Sequence, residues 1–239
     1  RIGYDHDGGF AELLRVPARL LAVDGVNRVP DGLSFAEASV VEPLSCVLNG
    51  QEQARVGDGD TVVVVGAGPI GCLHVRLARV RGAARVVLLE LSRPRLELAA
   101  GLVAPDEAVA ADGTDTVAAV RELTGGRGAD VIIVAAASGR AQEDGLRMAA
   151  RGGRVSFFGG LPKDGSTITV DANVVHYREV AIVGASGSSP AQNQRALELI
   201  AAGAVPVADL ITHRLPLEAA VEGIHTVARG EAIKVTIEP

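Results

Sequence analysis

Three glycines, Gly66, Gly68 and Gly71, punctuate the stretch TVVVVGAGPIGCLHVRLARVRGAARVVLLE, which runs from Thr61 to Glu90. An apolar, β-branched run precedes them. A helical stretch follows, whose first residues Pro69 and Ile70 join the three glycines as cofactor-binding candidates, and a second apolar run ends on the acid Glu90. A G-x-G-x-x-G turn between strand and helix is built to receive a pyrophosphate. Gly66 permits the tight turn, Gly68 lets the backbone come close to the phosphates, and Gly71 lets the helix pack against the strand. The free N–H groups and the partial positive charge of the first helical turn then face the anion. An acid about 20 residues on strengthens the pattern. At the end of the second strand it accepts ribose hydroxyls and repels a 2′-phosphate, which favours NAD over NADP. Arg93 and Arg95 pull the other way, since an arginine accommodates that phosphate. Arg95 is retained as a cofactor-binding candidate, and Arg93 reads as part of a solvated helix face.

Ligands of open α/β sheets lie beyond the carboxyl ends of the strands. Three such ends are small or glycine-rich: AAAS (Ala135–Ser138), FGGLP (Phe158–Pro162) and VGASG (Val183–Gly187). A planar ring can lie close to such backbone, so Ala136, Gly159, Gly160 and Leu161 join the cofactor-binding candidates. Ordinary strand-to-loop punctuation accounts for the same composition.

The elements that must hold these residues are legible from about Gly57 onward. Strand-like runs fall at 61–65, 84–89, 107–111, 130–135, 153–158 and 179–183. Helical stretches fall at 70–80, 93–101, 114–124 and 140–150. VVVV, VVLL and VIIV do not alternate with polar residues, as expected for strands buried on both faces of a parallel sheet. The alternation predicts an α/β fold with a doubly wound parallel sheet and right-handed crossovers. Before it, FAELLRV (Phe10–Val16) and LLAV (Leu20–Val23) read as strands. Ser34 with Glu37 reads as a capping box, and a helix is expected from about Pro43 to Arg55. After about Ala185 the pattern becomes a loop, a helix ending at Gly203, an extended LITHRLPL, a short helix and a last strand, AIKVTIE.

Nearly half of the 239 residues are apolar, enough for a sizeable core. The net charge of −6 argues against a nucleic-acid surface. No apolar run approaches the length of a membrane span. Cys46 and Cys72 are too few for a disulfide framework or a four-ligand zinc knuckle, which fits a reducing compartment and leads us to expect a cytoplasmic protein. The chain opens on Arg1, in a segment with neither a start nor a signal peptide, and reads as part of something longer.

VEPLSCVLNG (41–50), GDTVVVVGAGPIG (59–71), LITHRLPL and GEAIKV together resemble the zinc-dependent medium-chain alcohol and polyol dehydrogenases, of the sorbitol and threonine dehydrogenase type. DGGFAELLRVPA resembles a strand segment of that family's GroES-like catalytic domain. The resemblance implies a Rossmann sheet over 44–185. It also implies a remnant of a GroES-like β-rich catalytic domain over 1–43, and a return to that domain over 186–239. It further implies an oxidoreductase that moves hydride between a secondary alcohol or polyol and NAD, assisted by zinc in the intact protein. A homodimer or homotetramer is expected, often joined through the last Rossmann strand, near Ala181–Ala185. Glu42 matches the family's EPL glutamate at or near the zinc, and Lys234 matches a basic position that reaches the cofactor pyrophosphate.

Each of these residues has a plainer reading. Glu42 suits a helix N-terminus by its charge, and Lys234 suits a strand edge. Cys46, one turn after Glu42, could approach the metal or be an inert thiol. None of the five histidines has metal-ligand spacing, and His74 and His213 read as packing or surface residues. The family's other zinc ligands and its four-cysteine loop lie upstream of anything in this sequence, and a catalytic zinc takes about three protein ligands. This chain is therefore expected to bind NAD(H) without oxidising alcohols by itself. Two alternatives stay open: a zinc-free NADPH quinone or enoyl reductase, and a non-catalytic NAD(H)-binding protein.

Overall fold

A computed structural model describes residues 2–239. The chain divides into two compact units, one spanning Cys46–Gly187 and the other joining the residues up to Ser45 with Ser188–Pro239. In chain order the elements are α1 (Ala18–Leu21), α2 (Phe35–Ala38), α3 (Val41–Gln53), β1 (Thr61–Val65), α4 (Pro69–Val80), β2 (Arg85–Glu90), α5 (Arg93–Val103) and β3 (Glu107–Ala110). They continue with α6 (Thr116–Leu123), β4 (Ala129–Val134), α7 (Gly139–Met148), β5 (Ala149–Phe157), α8 (Ala172–Arg178), β6 (Ala181–Gly184) and α9 (Pro190–Ala201). β7 (Ile211–Pro216), α10 (Ala220–Ala228) and β8 (Lys234–Glu238) close the chain.

The unit Cys46–Gly187 is a six-stranded parallel sheet in the order β3-β2-β1-β4-β5-β6. Strand order reverses between β1 and β4, so the doubly wound sheet expected from the alternating pattern is present. A crevice opens at such a switch point. Val62–Val64, Val86–Leu89 and Val131–Val134 have no accessible surface. That is why these runs lack polar alternation: helices cover both faces. The helix Ala172–Arg178, before β6, has no counterpart in the sequence reading, because ANVVHYR is short and buries none of its residues.

The other unit carries a two-stranded parallel sheet of β7 and β8, joined by α10. Gly223 lets α10 lie on this ribbon: an added Cβ would stand 3.1–3.3 Å from Val235, Ile237 and Leu215 side chains. Ser34 caps α2 in the expected box, its Oγ accepting from Glu37 N–H at 3.2 Å while Glu37 Oε2 accepts from Ser34 N–H at 3.2 Å.

Two expected strands do not form. Phe10–Val16 has no ladder partner among the described residues, and Phe10, Leu13, Leu14 and Val16 are exposed. A strand exists only through its neighbour's hydrogen bonds, so apolar content alone did not make one here. Leu20–Val23 is overridden by helix: Pro17 at the N-cap starts α1, and Leu20 and Leu21 lie within it.

No helix among the described residues is long and apolar enough to cross a membrane.

Candidate cofactor groove

β1 delivers the chain into the glycine turn with Gly66 at φ +108°, in the region that side chains rarely adopt. Gly71, inside the first turn of α4, is fully enclosed, and a Cβ there would fall 1.8 Å from Gly66 O. Its role is helix–strand packing. Gly68 differs. Its φ is −73° and an added Cβ would meet nothing within 4 Å, so neither backbone nor packing demands glycine. A ligand approaching the backbone would. Pro69 occupies the first turn of α4, followed by the partly buried Ile70.

Capping separates α4 from its neighbours. Ser92, Asp115, Ser138 and Asp171 each accept a hydrogen bond from a first-turn N–H of α5, α6, α7 and α8. The N-cap of α4 is Gly68, which offers no side-chain cap. The orphan N–H groups of this one helix are left for a ligand, and they carry the positive end of its dipole.

Glu90 ends β2 and is buried, with 3% of its surface exposed. Its Oε2 accepts from Ala67 N–H at 2.8 Å, and its Oε1 accepts from Ser92 N–H at 2.8 Å and from Arg95 Nη2 at 2.7 Å. Burial pushes this carboxyl's pKa up, but the Arg95 hydrogen bond and the two backbone N–H groups outweigh it, and the net shift is downward. The acid is therefore ionised at neutral pH. A carboxylate has about four acceptor positions. Three are taken, so one lone pair on Oε2 remains, fewer than two ribose hydroxyls require. Arg95 Nε, beside it, is buried and has no acceptor.

These residues line one cavity of about 560 Å³, within the range of small-molecule sites. Gly66, Gly68, Glu90, Arg95 and Ala136 all face it. Ser138 of the AAAS strand end lines it too, with Thr114, Thr116, Arg140 and Asp144, which sequence reading passed over as site residues. They follow the carboxyl ends of β3 and β4, so the strand-end rule that found Ala136 also reaches them. Arg140 is committed to Asp144, with Nε donating to Oδ2 at 2.6 Å.

Gly159, Gly160 and Leu161 are not among the cavity's lining residues. Gly159 stands behind the wall, since a Cβ on it would meet Ala136 O at 2.6 Å, and its N–H donates to Val134 O at 2.8 Å. At Gly160 an added Cβ would meet nothing within 4 Å.

Glu42 and Lys234 belong to the other unit. Glu42, on the first turn of α3, is exposed. Lys234 opens β8, and burial lowers its pKa while the charge of Glu42 opposes that shift, so the two lie within electrostatic reach. Among the described residues no three of His, Cys, Asp and Glu gather as a metal site. Glu42 alone does not hold a catalytic zinc, which takes three protein ligands. Cys46 is half-buried and Cys72 buried, and neither is in a disulfide. His74 is a packing residue with no exposed surface.

A family model described as zinc-binding dehydrogenase matches residues 69–202. The L-threonine 3-dehydrogenase of Bacillus velezensis is 32% identical over 239 residues, covering 100% of this chain and 67% of that protein. The erythritol/L-threitol dehydrogenase of Mycolicibacterium smegmatis is 33% identical, covering 97% and 62%. Among solved structures, a protein described as a zinc-binding dehydrogenase, from Sinorhizobium meliloti and bound to NADP, superposes with a TM-score of 0.90 at 31% identity. That match covers 100% of this chain and 68% of the other. The chain thus spans about two thirds of the length of these relatives.

Proposed function

Since this chain belongs to the zinc-binding dehydrogenase family, we propose that it is the NAD(H)-binding portion of an oxidoreductase acting on a secondary alcohol or polyol. The observation that carries the reading is the buried, ionised Glu90 tied to the glycine turn, beside the one uncapped helix of the set α4–α8. On this reading the N–H groups of α4's first turn hold the pyrophosphate, and Gly68 gives it room. A ribose hydroxyl would donate to the remaining lone pair of Glu90 Oε2, which Arg95 keeps ionised and in place. Bound NAD supplies the hydride acceptor. Ala136, and Gly159–Leu161 beyond β5, would flank the second nucleoside; Lys234, in the other unit, is carried as a cofactor-binding residue on the family resemblance alone.

NAD is preferred to NADP on charge. A 2′-phosphate would enter beside the carboxylate of Glu90, and Arg95 and Arg140 are already paired with Glu90 and Asp144. The Sinorhizobium meliloti relative, itself described as a zinc-binding dehydrogenase, holds NADP, which makes NADP(H) the competing cofactor. Titrating the chain with NADH and NADPH by fluorescence decides between them. NADH binding at least about tenfold tighter, a difference of roughly 1.4 kcal/mol, is expected. Tighter NADPH binding overturns the NAD reading.

Glu42 would offer one carboxylate to a zinc ion, which takes about three protein ligands, and no three of His, Cys, Asp and Glu gather as a metal site among the described residues. Residues 1–43 and 186–239 would belong to a GroES-like catalytic domain. The edge strand β6, with Ile182 exposed, suits a homodimer or homotetramer joined there. Two cysteines outside any disulfide suit a reducing cytoplasm.

A further inference from the structure

His74 lies on α4, on the helix that opens at the glycine turn, and is wholly buried. Gln51 Nε2 donates to its carbonyl oxygen at 2.8 Å and stands 3.4 Å from its ring Nδ1. A donor facing Nδ1 makes that atom the acceptor and places the ring proton on Nε2. Nε2 has no partner, and neither has Gln51 Oε1. Two orphaned polar atoms in a core weaken it. Residues that break a local rule in this way mark places where another requirement has been met.

That requirement is the ring of Phe158. His74 meets it perpendicularly, with centroids 4.6 Å apart and planes at 89°, the geometry favoured between ring edge and ring face. Gly50 on α3 completes the enclosure: an added Cβ would stand 2.7 Å from Phe158 Cδ2. Phe158 is the first residue after β5 and leads directly into Gly159, whose backbone packs on Ala136 O. Gly50, Gln51 and His74 thus form a socket that fixes the start of the turn Phe158–Gly160, and through it the wall at the end of β4.

We propose that His74 is a positioning residue for the nicotinamide half of the cofactor, acting through Phe158 on the turn that flanks it. This rests on the dinucleotide reading above. A dinucleotide bound across the switch point places its adenosine half at Glu90 and its other half toward β4 and β5, so the socket acts on one half only.

The test titrates the full 239-residue chain with NADH and, separately, with ADP-ribose, which lacks the nicotinamide. His74→Leu and Phe158→Leu are each expected to weaken NADH roughly three- to tenfold and to leave ADP-ribose affinity unchanged. The double variant should bind NADH no worse than F158L alone, because His74 acts through that ring. Equal losses for both ligands, which a general packing role would give, overturn the proposal. So does unchanged NADH affinity, or additive losses in the double variant. If H74L fails to fold, F158L carries the same comparison between ligands. Wild-type chain that binds neither ligand refutes the dinucleotide reading itself, and this proposal with it.

Discussion

Glu90 Oε2 accepts the N–H of Ala67 at 2.8 Å, so the acid that ends β2 also pins the glycine turn that follows β1. The carboxylate has two tasks: it shapes the loop and it sets the charge at the ribose end of the groove. Glu90→Gln keeps an acceptor but loses the charge that holds Arg95 Nη2. Hydrogen bonds to charged groups contribute about 1.5–3 kcal/mol, and the variant is expected to lose stability at the low end of that range because Arg95 is partly solvated. Its preference for NADH over NADPH should narrow by roughly tenfold. Parallel urea melts and cofactor titrations read both effects, and an unchanged cofactor ratio would show that Glu90 serves the loop alone.

Gly68 and Gly71 share a motif but not a reason for being glycine. Gly71→Ala drives a Cβ to 1.8 Å from Gly66 O, where no flexible side chain can yield. A loss of about 1–3 kcal/mol is expected from such overpacking, seen as a lower urea midpoint. Gly68→Ala meets nothing and should leave stability within about 0.5 kcal/mol. Its cost should fall on nucleotide affinity, at tenfold or more. If G68A binds NADH as the parent does, no phosphate approaches that backbone.

Ser34 closes a capping box in which its Oγ also lies 2.5 Å from Glu37 Oε2. Four-residue α2 has little else to define its start. Ser34→Ala is expected to cost about 1 kcal/mol, and S34D, which restores an acceptor, should recover part of it. Urea melts at neutral pH separate these outcomes.

The parallel sheet was legible because its strands are buried on both faces, and only a run such as VIIV at 131–134 satisfies that without polar alternation. The glycine turn was legible because its spacing answers three local demands at once. Phe10–Val16 misled for the opposite reason. Its apolar residues match a strand, but strand formation is decided by a neighbour, which composition does not show. The state of Glu90 was half legible: its place at the strand end follows from the motif. That three of its acceptor positions are taken depends on Ala67, Ser92 and Arg95 arriving together in space. His74 was legible only as a packing or surface residue, since its partners Gln51 and Phe158 lie 23 residues before it and far after it in the chain.

Burial lowers the pKa of His74 from 6.5 to about 3. The unfolded chain takes up a proton below about pH 6.5, and the folded chain does so only near pH 3. Unfolding therefore gains a proton as pH falls, and stability is full above pH 6.5 and declines below it. The decline is about 1.4 kcal/mol per pH unit, or roughly 2–3 kcal/mol between pH 6.5 and pH 4.5. Glu90 does not blur this window. Burial raises its pKa, but Arg95 and the N–H groups of Ser92 and Ala67 bring it below the ordinary 4.5, so its contribution is lost only at lower pH. Urea midpoints at pH 6.5, 5.5 and 4.5 are expected to fall for the parent chain and to stay nearly level for His74→Leu. Parallel slopes in the two proteins would mean that the imidazole reaches water in the folded state and titrates there.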